Sequence, residues 1–308
     1  MTFADVLSWT VIFFNYFVLA YFLALYLVYG ALISISFVHL LRHMREWTWA
    51  WEWEGSGRLL ASELIPPISI IAPAYNEEKT VVESMRALLA LEYPHYEVIV
   101  VNDGSSDHTG RVLQQLQEIF GPERMRIVTH PRNLGYGAAL RSGFAAATKD
   151  FVFYTDGDGQ YDVRELPLLL DACGPTGVWV NGYKSKRSDS QHRLLIGGLY
   201  NQFSRWLFSL SLRDVDCDFR LIRRSLIDVE QLTSTSGTIC VELVHQLESN
   251  GHRATEVPVR HLPRLHGSSR FFRPVPLART FAQILALFLR TAVWTPVSQL
   301  LSKTSSAE

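Results

Sequence analysis

Glu97-Val98-Ile99-Val100-Val101-Asn102-Asp103-Gly104-Ser105-Ser106-Asp107 runs an apolar, β-branched segment directly into an acidic turn. Phe151-Val152-Phe153-Tyr154-Thr155-Asp156-Gly157-Asp158-Gly159-Gln160 repeats the arrangement, and each stretch leads into a helix-like segment. Short apolar runs of this kind read as buried strands. Carboxylates at the carboxyl ends of such strands stand where open α/β sheets bind ligands. An Asp-x-Asp pair on a turn offers oxygen ligands to a hard divalent cation, which in turn holds phosphates. Together the two stretches imply an enzyme that uses a nucleotide-activated substrate.

Outward from them, strands alternate with helices. Ile68–Ala72 reads as a buried strand and 78–91 as a helix carrying Val82, Met85 and Leu89 at helical spacing. Strand 97–101 precedes helix 108–120, whose apolar face is Val112, Leu113, Leu116 and Ile119. Strand 125–129 precedes helix 135–148, strand 151–154 precedes helix 163–173, and further strands are read at 177–182 and 252–259. The alternation predicts an α/β fold with a mostly parallel, Rossmann-like sheet and helices on both faces. Residues 194–212 carry an amphipathic helical pattern, and 274–301 form a long apolar segment interrupted by Arg279, Arg290 and Pro296. That segment reads as an amphipathic, interfacial or domain-packing helix, with a second membrane span as the alternative.

The amino terminus is of another kind. From Val6 to Leu41 there is no Asp, Glu, Lys or Arg, a run longer than the roughly 20 residues that span a bilayer core. A signal peptide fits poorly, because Asp5 is the only early charge. Arg42, His43 and Arg45 follow, which by the positive-inside bias puts the downstream domain in the cytosol. Trp47, Trp49, Trp51 and Trp53 suit the headgroup region. The excess length allows tilt, projection beyond the bilayer or a break near Gly30. The predicted organisation is therefore a transmembrane anchor (1–45), a Trp-rich juxtamembrane linker (46–67), a catalytic domain (68–273), and a carboxy-terminal amphipathic, membrane-associated segment with its tail (274–308).

Composition narrows the function. In a chain of 308 residues a formal net charge of −1 lacks the basic footprint of a nucleic-acid binder. Cys173, Cys217 and Cys240 are widely spaced with no Cys-x-x-Cys pair, and there is no His-Glu-x-x-His. A disulfide framework or a zinc site is thus not expected, and a reducing, cytosolic setting is.

Four motifs occur in order: Pro73-Ala74-Tyr75-Asn76-Glu77-Glu78, the Asp103–Asp107 turn, Asn133-Leu134-Gly135 with Gly137 to Gly143, and Asp156-Gly157-Asp158-Gly159-Gln160. This series resembles the inverting family 2 glycosyltransferases of the GT-A fold, most nearly the dolichyl- or polyprenyl-phosphate sugar synthase branch. Gly182-Tyr183-Lys184 with Arg187, Asp214 to Leu221, Glu242, Glu256-Val257-Pro258-Val259 and His266-Gly267-Ser268-Ser269-Arg270 extend the resemblance to roughly Ile68–Arg273. A nucleotidyltransferase shares the layout, but its Gly-rich phosphate loop is replaced here by Ala72–Glu78.

The resemblance implies that Pro73, Ala74, Tyr75, Glu77 and Asp103 hold the donor nucleotide, with Glu78 as an alternative to Glu77. It further implies that Asp158 is the chief metal ligand, Asp156 binds metal or ribose, and Gln160 completes the shell around Mg²⁺ or Mn²⁺. Arg187, Arg220 and Arg270 would bind acceptor phosphate, with Ser268 in the adjacent turn, guanidinium being suited to bidentate contact. Gln202-Phe203-Ser204-Arg205-Trp206 spells a signature of processive cellulose- and hyaluronan-like synthases. Here it precedes Asp214–Arg220 within an amphipathic pattern, so Trp206 is read as apolar anchorage.

One departure bears on the acceptor. Many polyprenyl-phosphate synthases have Ser-Gly before the Phe-Arg, where this chain has Cys217-Asp218. A phosphate monoester, with a second pKa around 6, is already nucleophilic at neutral pH. A sugar hydroxyl needs a base, and Asp216, Asp218 or Glu242 is available for that role. The leading expectation is a membrane-anchored, metal-dependent inverting transferase that moves a hexose from a UDP- or GDP-sugar to polyprenyl or dolichyl phosphate at the cytosolic leaflet, with Asp158, Asp218 and Arg220 as the catalytic set. The alternatives are transfer to a hydroxyl of a glycolipid or lipid-linked saccharide, and a catalytically idle, membrane-tethered scaffold.

Overall fold

The computed structural model describes residues 3–60, 65–157, 159–174, 177–187, 191–262 and 274–294. The chain divides into two compact units, one ending at Leu59 and one beginning at Leu60. The first is a single helix, α1 (Phe3–Leu60). Within it Ser8–Val38 is long and apolar enough to cross a membrane. Its 31 residues extend about 46 Å, more than a bilayer core of about 30 Å. There is no break at Gly30; Ser34 donates its hydroxyl to the Gly30 carbonyl at 2.8 Å, so that polar group is satisfied within the helix. The helix also continues through Trp47–Trp53 and Gly55–Gly57, where the sequence suggested a linker. A glycine in a helix costs about 1 kcal/mol, which does not by itself end one.

The second unit is built on a seven-stranded sheet, β1 (Ile68–Ala74), β2 (Tyr96–Asn102), β3 (Met125–Thr129), β4 (Phe151–Thr155), β5 (Trp179–Arg187), β6 (Phe219–Arg223) and β7 (Thr255–His261), in the order β3-β2-β1-β4-β6-β5-β7. All pairings are parallel except those of β6, which runs antiparallel to both β4 and β5. Alternate side chains of each strand enter two separate cores. Ile68, Ile70, Val98, Val100, Phe151 and Phe153 face α2 (Val81–Leu89), α3 (Thr109–Phe120) and α5 (Leu166–Cys173). Ile71, Ile99, Val101, Val152 and Tyr154 face α4 (Tyr136–Ala146), α6 (Gln191–Phe208), α7 (Ile239–Ser249) and α8 (Pro274–Phe288). Burial on both faces is why these strands read as unbroken apolar runs. Each fully buried Val, Ile or Phe stabilises the fold by about 1.5–3 kcal/mol.

Glu97, near the start of β2, is a buried carboxylate. It accepts from Ser69 Oγ (2.7 Å), Thr148 Oγ1 (2.7 Å), Thr148 N (2.9 Å) and Arg126 (3.2 Å). Burial pushes its carboxyl up, but these donors outweigh burial and hold it below the usual range.

One further sequence expectation is corrected, and two elements were not anticipated. Ile119, assigned to the buried face of α3, is 73% exposed, and the face is carried by Leu113 and Leu116. The strand β6 and the helix α7 were not read as elements. In β6 a buried arginine interrupts the apolar pattern; α7 is buried nearly all round, its polar Glu242 and Gln246 included. The carboxy-terminal segment is helical in α8 and continues as a π-helical turn, Leu289–Trp294. It is a core element as well as a surface one: Ile284 and Leu287 are buried, whereas Leu285 and Leu289 are exposed. All three cysteines are free and buried, Cys173 and Cys217 in one core and Cys240 in the other. Burial pushes the Cys217 thiol up to about 12.

Candidate active site

From β1 the sheet grows to β2 and β3 on one side and to β4 on the other, so a topological switch point lies between β1 and β4. Loops after the carboxyl ends of strands form the ligand crevice at such a point. Two contacts draw them together: Asp103 N donates to Ala74 O (2.9 Å), and Ser84 Oγ donates to Gly157 O (2.7 Å).

The loops after β1 and β2 brace one another. Asn76, with φ 56°, donates its N–H to Ser105 Oγ (3.1 Å) and accepts from Ser106 N at Oδ1 (2.8 Å). Glu77 N donates to Thr109 Oγ1 (2.9 Å), and Glu77 Oε2 accepts from Thr80 Oγ1 (2.5 Å). Glu78 Oε2 accepts from His108 N (3.1 Å). Of the predicted donor residues, Pro73 and Ala74 end β1, Tyr75 stands exposed beyond them, and Glu77 and Glu78 have their carboxylates in the bracing.

Asp103 is 3% exposed. Its Oδ1 accepts from His130 Nδ1 (2.7 Å) and Leu134 N (2.8 Å), and its Oδ2 from Gly135 N (2.9 Å). The sequence assigned Asp103 to the nucleoside; in this structure both oxygens hold the Leu134–Gly135 turn. His130, whose Nε2 lies 2.8 Å from Ser142 Oγ, carries no motif signal and was not anticipated.

That turn is clamped from its other side. Gly135 has φ 99°, open to glycine, and Gly137 N donates to Thr235 O (3.0 Å). A Cβ on Gly137 would lie 2.3 Å from Ser234 O, closer than atoms can approach. Gly137→Ala is therefore expected to destabilise by about 1–3 kcal/mol, seen as a lower thermal midpoint. An unchanged midpoint would show that the 234–236 backbone yields.

Asp156 follows β4, half-buried, and accepts from Tyr136 OH at Oδ1 (2.9 Å). Burial, and then the charge of Asp156, push the Tyr136 phenol well above its ordinary value, so it stays a donor. Gln160 Nε2 donates to Leu262 O (3.2 Å), and Leu262 N to Gln160 O (2.7 Å), tying the end of the motif to the end of β7. Asp158, Ser268 and Arg270 lie outside the described residues, and so does the side chain of Arg187, whose backbone ends β5. Among the described residues no three His, Cys, Asp or Glu side chains gather as a metal site. Asp156 and Gln160, the described part of the expected set, offer oxygens, which fit Mg²⁺ or Mn²⁺ better than a softer ion.

The predicted acceptor side is placed differently from expectation. Arg220, assigned to phosphate, is fully buried in mid-β6. It donates from Nε to Asn181 Oδ1, from one terminal nitrogen to Tyr154 OH and from the other to Val215 O, each at 2.5 Å. With no exposed surface, it offers no N–H to a phosphate arriving from solvent unless the surrounding core opens. Asp218 is 9% exposed and accepts from the Cys240 thiol at 3.0 Å. Burial, and then the Asp218 charge, push that thiol well above its usual range. Glu242, a candidate base, is buried and accepts from Thr233 N, Ser234 N, Thr233 Oγ1 and Arg290. Asp216 is the most open of the candidate bases, its side chain 42% exposed and 3.8 Å from Lys184 Nζ.

Acidic loops converge on the switch point of an α/β sheet with one antiparallel strand, the place where such sheets bind ligands. Residues 69–229 match the family described as Glycosyl transferase family 2, and the chain belongs to that family. It is 28% identical over 210 residues to an undecaprenyl-phosphate 4-deoxy-4-formamido-L-arabinose transferase of Klebsiella pneumoniae, covering 67% of this chain and 63% of that one. The namesake from Pseudomonas fluorescens is 29% identical over 207 residues, covering 66% and 60%. The match thus spans less than two thirds of these relatives' length. Among solved structures, glucosyl-3-phosphoglycerate synthase from Mycobacterium tuberculosis, in complex with phosphoglyceric acid, aligns with a TM-score of 0.56 at 22% identity, covering 76% of this chain and 82% of that one. A mannosyltransferase from Pyrobaculum calidifontis, in complex with GDP-Man and Mn²⁺, aligns with a TM-score of 0.52 at 19% identity, covering 78% and 71%. These likenesses bear out the expected GT-A fold.

Proposed function

We propose that this protein is a membrane-anchored, divalent-metal-dependent inverting glycosyltransferase that moves a hexose from a UDP- or GDP-sugar to polyprenyl phosphate at the cytosolic leaflet. The observation that carries this reading is Asp156, held by Tyr136 at the β1/β4 switch point of a family 2 domain. The relatives' names supply the lipid-phosphate acceptor, and the Mn²⁺ complexes of solved neighbours supply the metal. The apolar helix Ser8–Val38 followed by Arg42, His43 and Arg45 supports anchoring with the domain on the cytosolic side. The exposed Leu199 and Trp206 of α6, with Leu285 of α8 and the adjacent Leu289, support contact with the bilayer surface.

In this reading the loops after β1 and β2 seat the nucleoside and Asp156, Asp158 and Gln160 hold the cation. When bound, Mg²⁺ or Mn²⁺ neutralises charge developing on the departing diphosphate. An acceptor phosphate oxygen attacks the anomeric carbon from the face opposite the leaving group. The glycosidic C–O bond to the diphosphate breaks, and the nucleoside diphosphate departs. A phosphate dianion needs no base. The burial of Asp218 and the engagement of Glu242 favour such an acceptor over a hydroxyl.

Incubating the full-length protein with labelled donor, Mn²⁺ and polyprenyl phosphate tests this. The expected product is an acid-labile lipid-phosphoryl sugar. An acid-stable glycoside would instead indicate a hydroxyl acceptor, with Asp216 the open base. No turnover with any donor would favour the idle scaffold.

A further inference from the structure

Resting on the reading of Asp156 as a metal ligand, we propose that Arg290, on the π-helical turn after α8, is a positioning residue for Asp156. The path is continuous in the structure. Arg290 donates to Glu242 Oε1, and the Glu242 side chain is only 5% exposed. The same carboxylate accepts from Ser234 N (2.8 Å), Thr233 N (3.1 Å) and Thr233 Oγ1 (3.2 Å), so it grips the start of the 233–236 loop. A second strut reaches that loop from α8, where Gln283 Oε1 accepts from Ser236 Oγ (2.9 Å).

The loop presses on the amino terminus of α4 without slack. Thr235 O accepts from Gly137 N, and the Cβ positions of Gly135 and Gly137 fall 2.1 and 2.3 Å from Thr235 O and Ser234 O. Tyr136 is the residue between these glycines, and its hydroxyl donates to Asp156. A shift of the loop therefore carries the Tyr136 donor with it.

The chemistry makes Arg290 the strong end of this path. A carboxylate taken out of water needs donors and an opposing charge to remain ionised. Without the guanidinium, the buried Glu242 carboxylate loses its opposing charge and admits water, which loosens its hold on Thr233 and Ser234. Helical turns of the π type recur at functional sites, and this one brings a half-exposed guanidinium onto the buried Glu242 carboxylate. The carboxy-terminal helix thereby contributes to a carboxylate far away in the chain.

Mn²⁺ binding by the full-length protein in the presence of a nucleoside diphosphate, followed by electron paramagnetic resonance, reads the effect without relying on turnover. Arg290→Gln is expected to weaken Mn²⁺ binding by about 2- to 30-fold, the span of network mutations that touch neither ligand. Arg290→Lys is expected to recover most of the loss, and Arg279→Gln, on an exposed position of α8, to change nothing. Combining Arg290→Gln with Tyr136→Phe should be no worse than the weaker-binding single variant, because both act on one contact. Wild-type Mn²⁺ affinity in Arg290→Gln would overturn the inference, even with a lowered thermal midpoint, and so would fully additive losses in the double variant. Failure of the wild type itself to bind Mn²⁺ would overturn the metal reading and the inference with it.

Discussion

Asp156→Asn is expected to lower turnover of the nucleotide-sugar by about 10²–10³-fold, the usual loss when one preorganised electrostatic group is removed. The substitution is nearly isosteric, and its amide oxygen still accepts from the Tyr136 hydroxyl that Asp156 Oδ1 accepts from now. Packing around β4 and α4 is therefore unaltered, while the negative charge available to a cation is gone. Mn²⁺ affinity should fall together with kcat, and the thermal midpoint of the ligand-free protein should stay close to that of the wild type. Normal turnover with normal Mn²⁺ binding would remove Asp156 from the site. Loss of turnover together with a collapsed midpoint would make the residue structural.

Arg220→Met should act in the opposite way, on stability first. The guanidinium is fully buried and hydrogen-bonded to Asn181, Tyr154 and Val215. Methionine fills part of the volume but leaves those three oxygens without their donor. Each buried polar group stripped of its partner costs about 1–3 kcal/mol, so a loss of about 3 kcal/mol or more is expected. For a domain of this size that is a fall of about 10 °C in thermal midpoint. The measurement separates two roles for one residue. A phosphate-binding arginine would leave the midpoint alone and raise the KM for the lipid acceptor; an internal strut does the reverse.

What the sequence made legible, and what it did not, follows from burial. The strands β1 to β4 are covered on both faces, so their apolar runs stand out against polar turns, and the carboxylates of Asp103 and Asp156 mark where those runs stop. The loops proposed to seat the donor were located by the ends of those runs together with the family resemblance. Arg220 was assigned to phosphate by family resemblance, which carries no information on burial; only the sheet order reveals that β6 is inserted between β4 and β5 and that the arginine lies inside. Glu242 was offered as a base, yet the cation and amides that engage it come from Arg290 and Thr233–Ser234, a pairing that no local pattern encodes. His130 and Tyr136 escaped notice although one precedes the glycine motif and the other lies within it. A tyrosine between two glycines was the available signal.

The three buried thiols give this chain built-in reporters of its own opening. An alkylating reagent attacks thiolates, and burial holds Cys217 and Cys240 far from that form. Labelling can proceed only through fluctuations that expose the cores, so its rate measures how often each face of the sheet comes apart. Cys240 reports on the side that carries α4, α7 and α8; Cys173 and Cys217 report on the other. Each face of the sheet thus carries a native cysteine by which its opening can be timed.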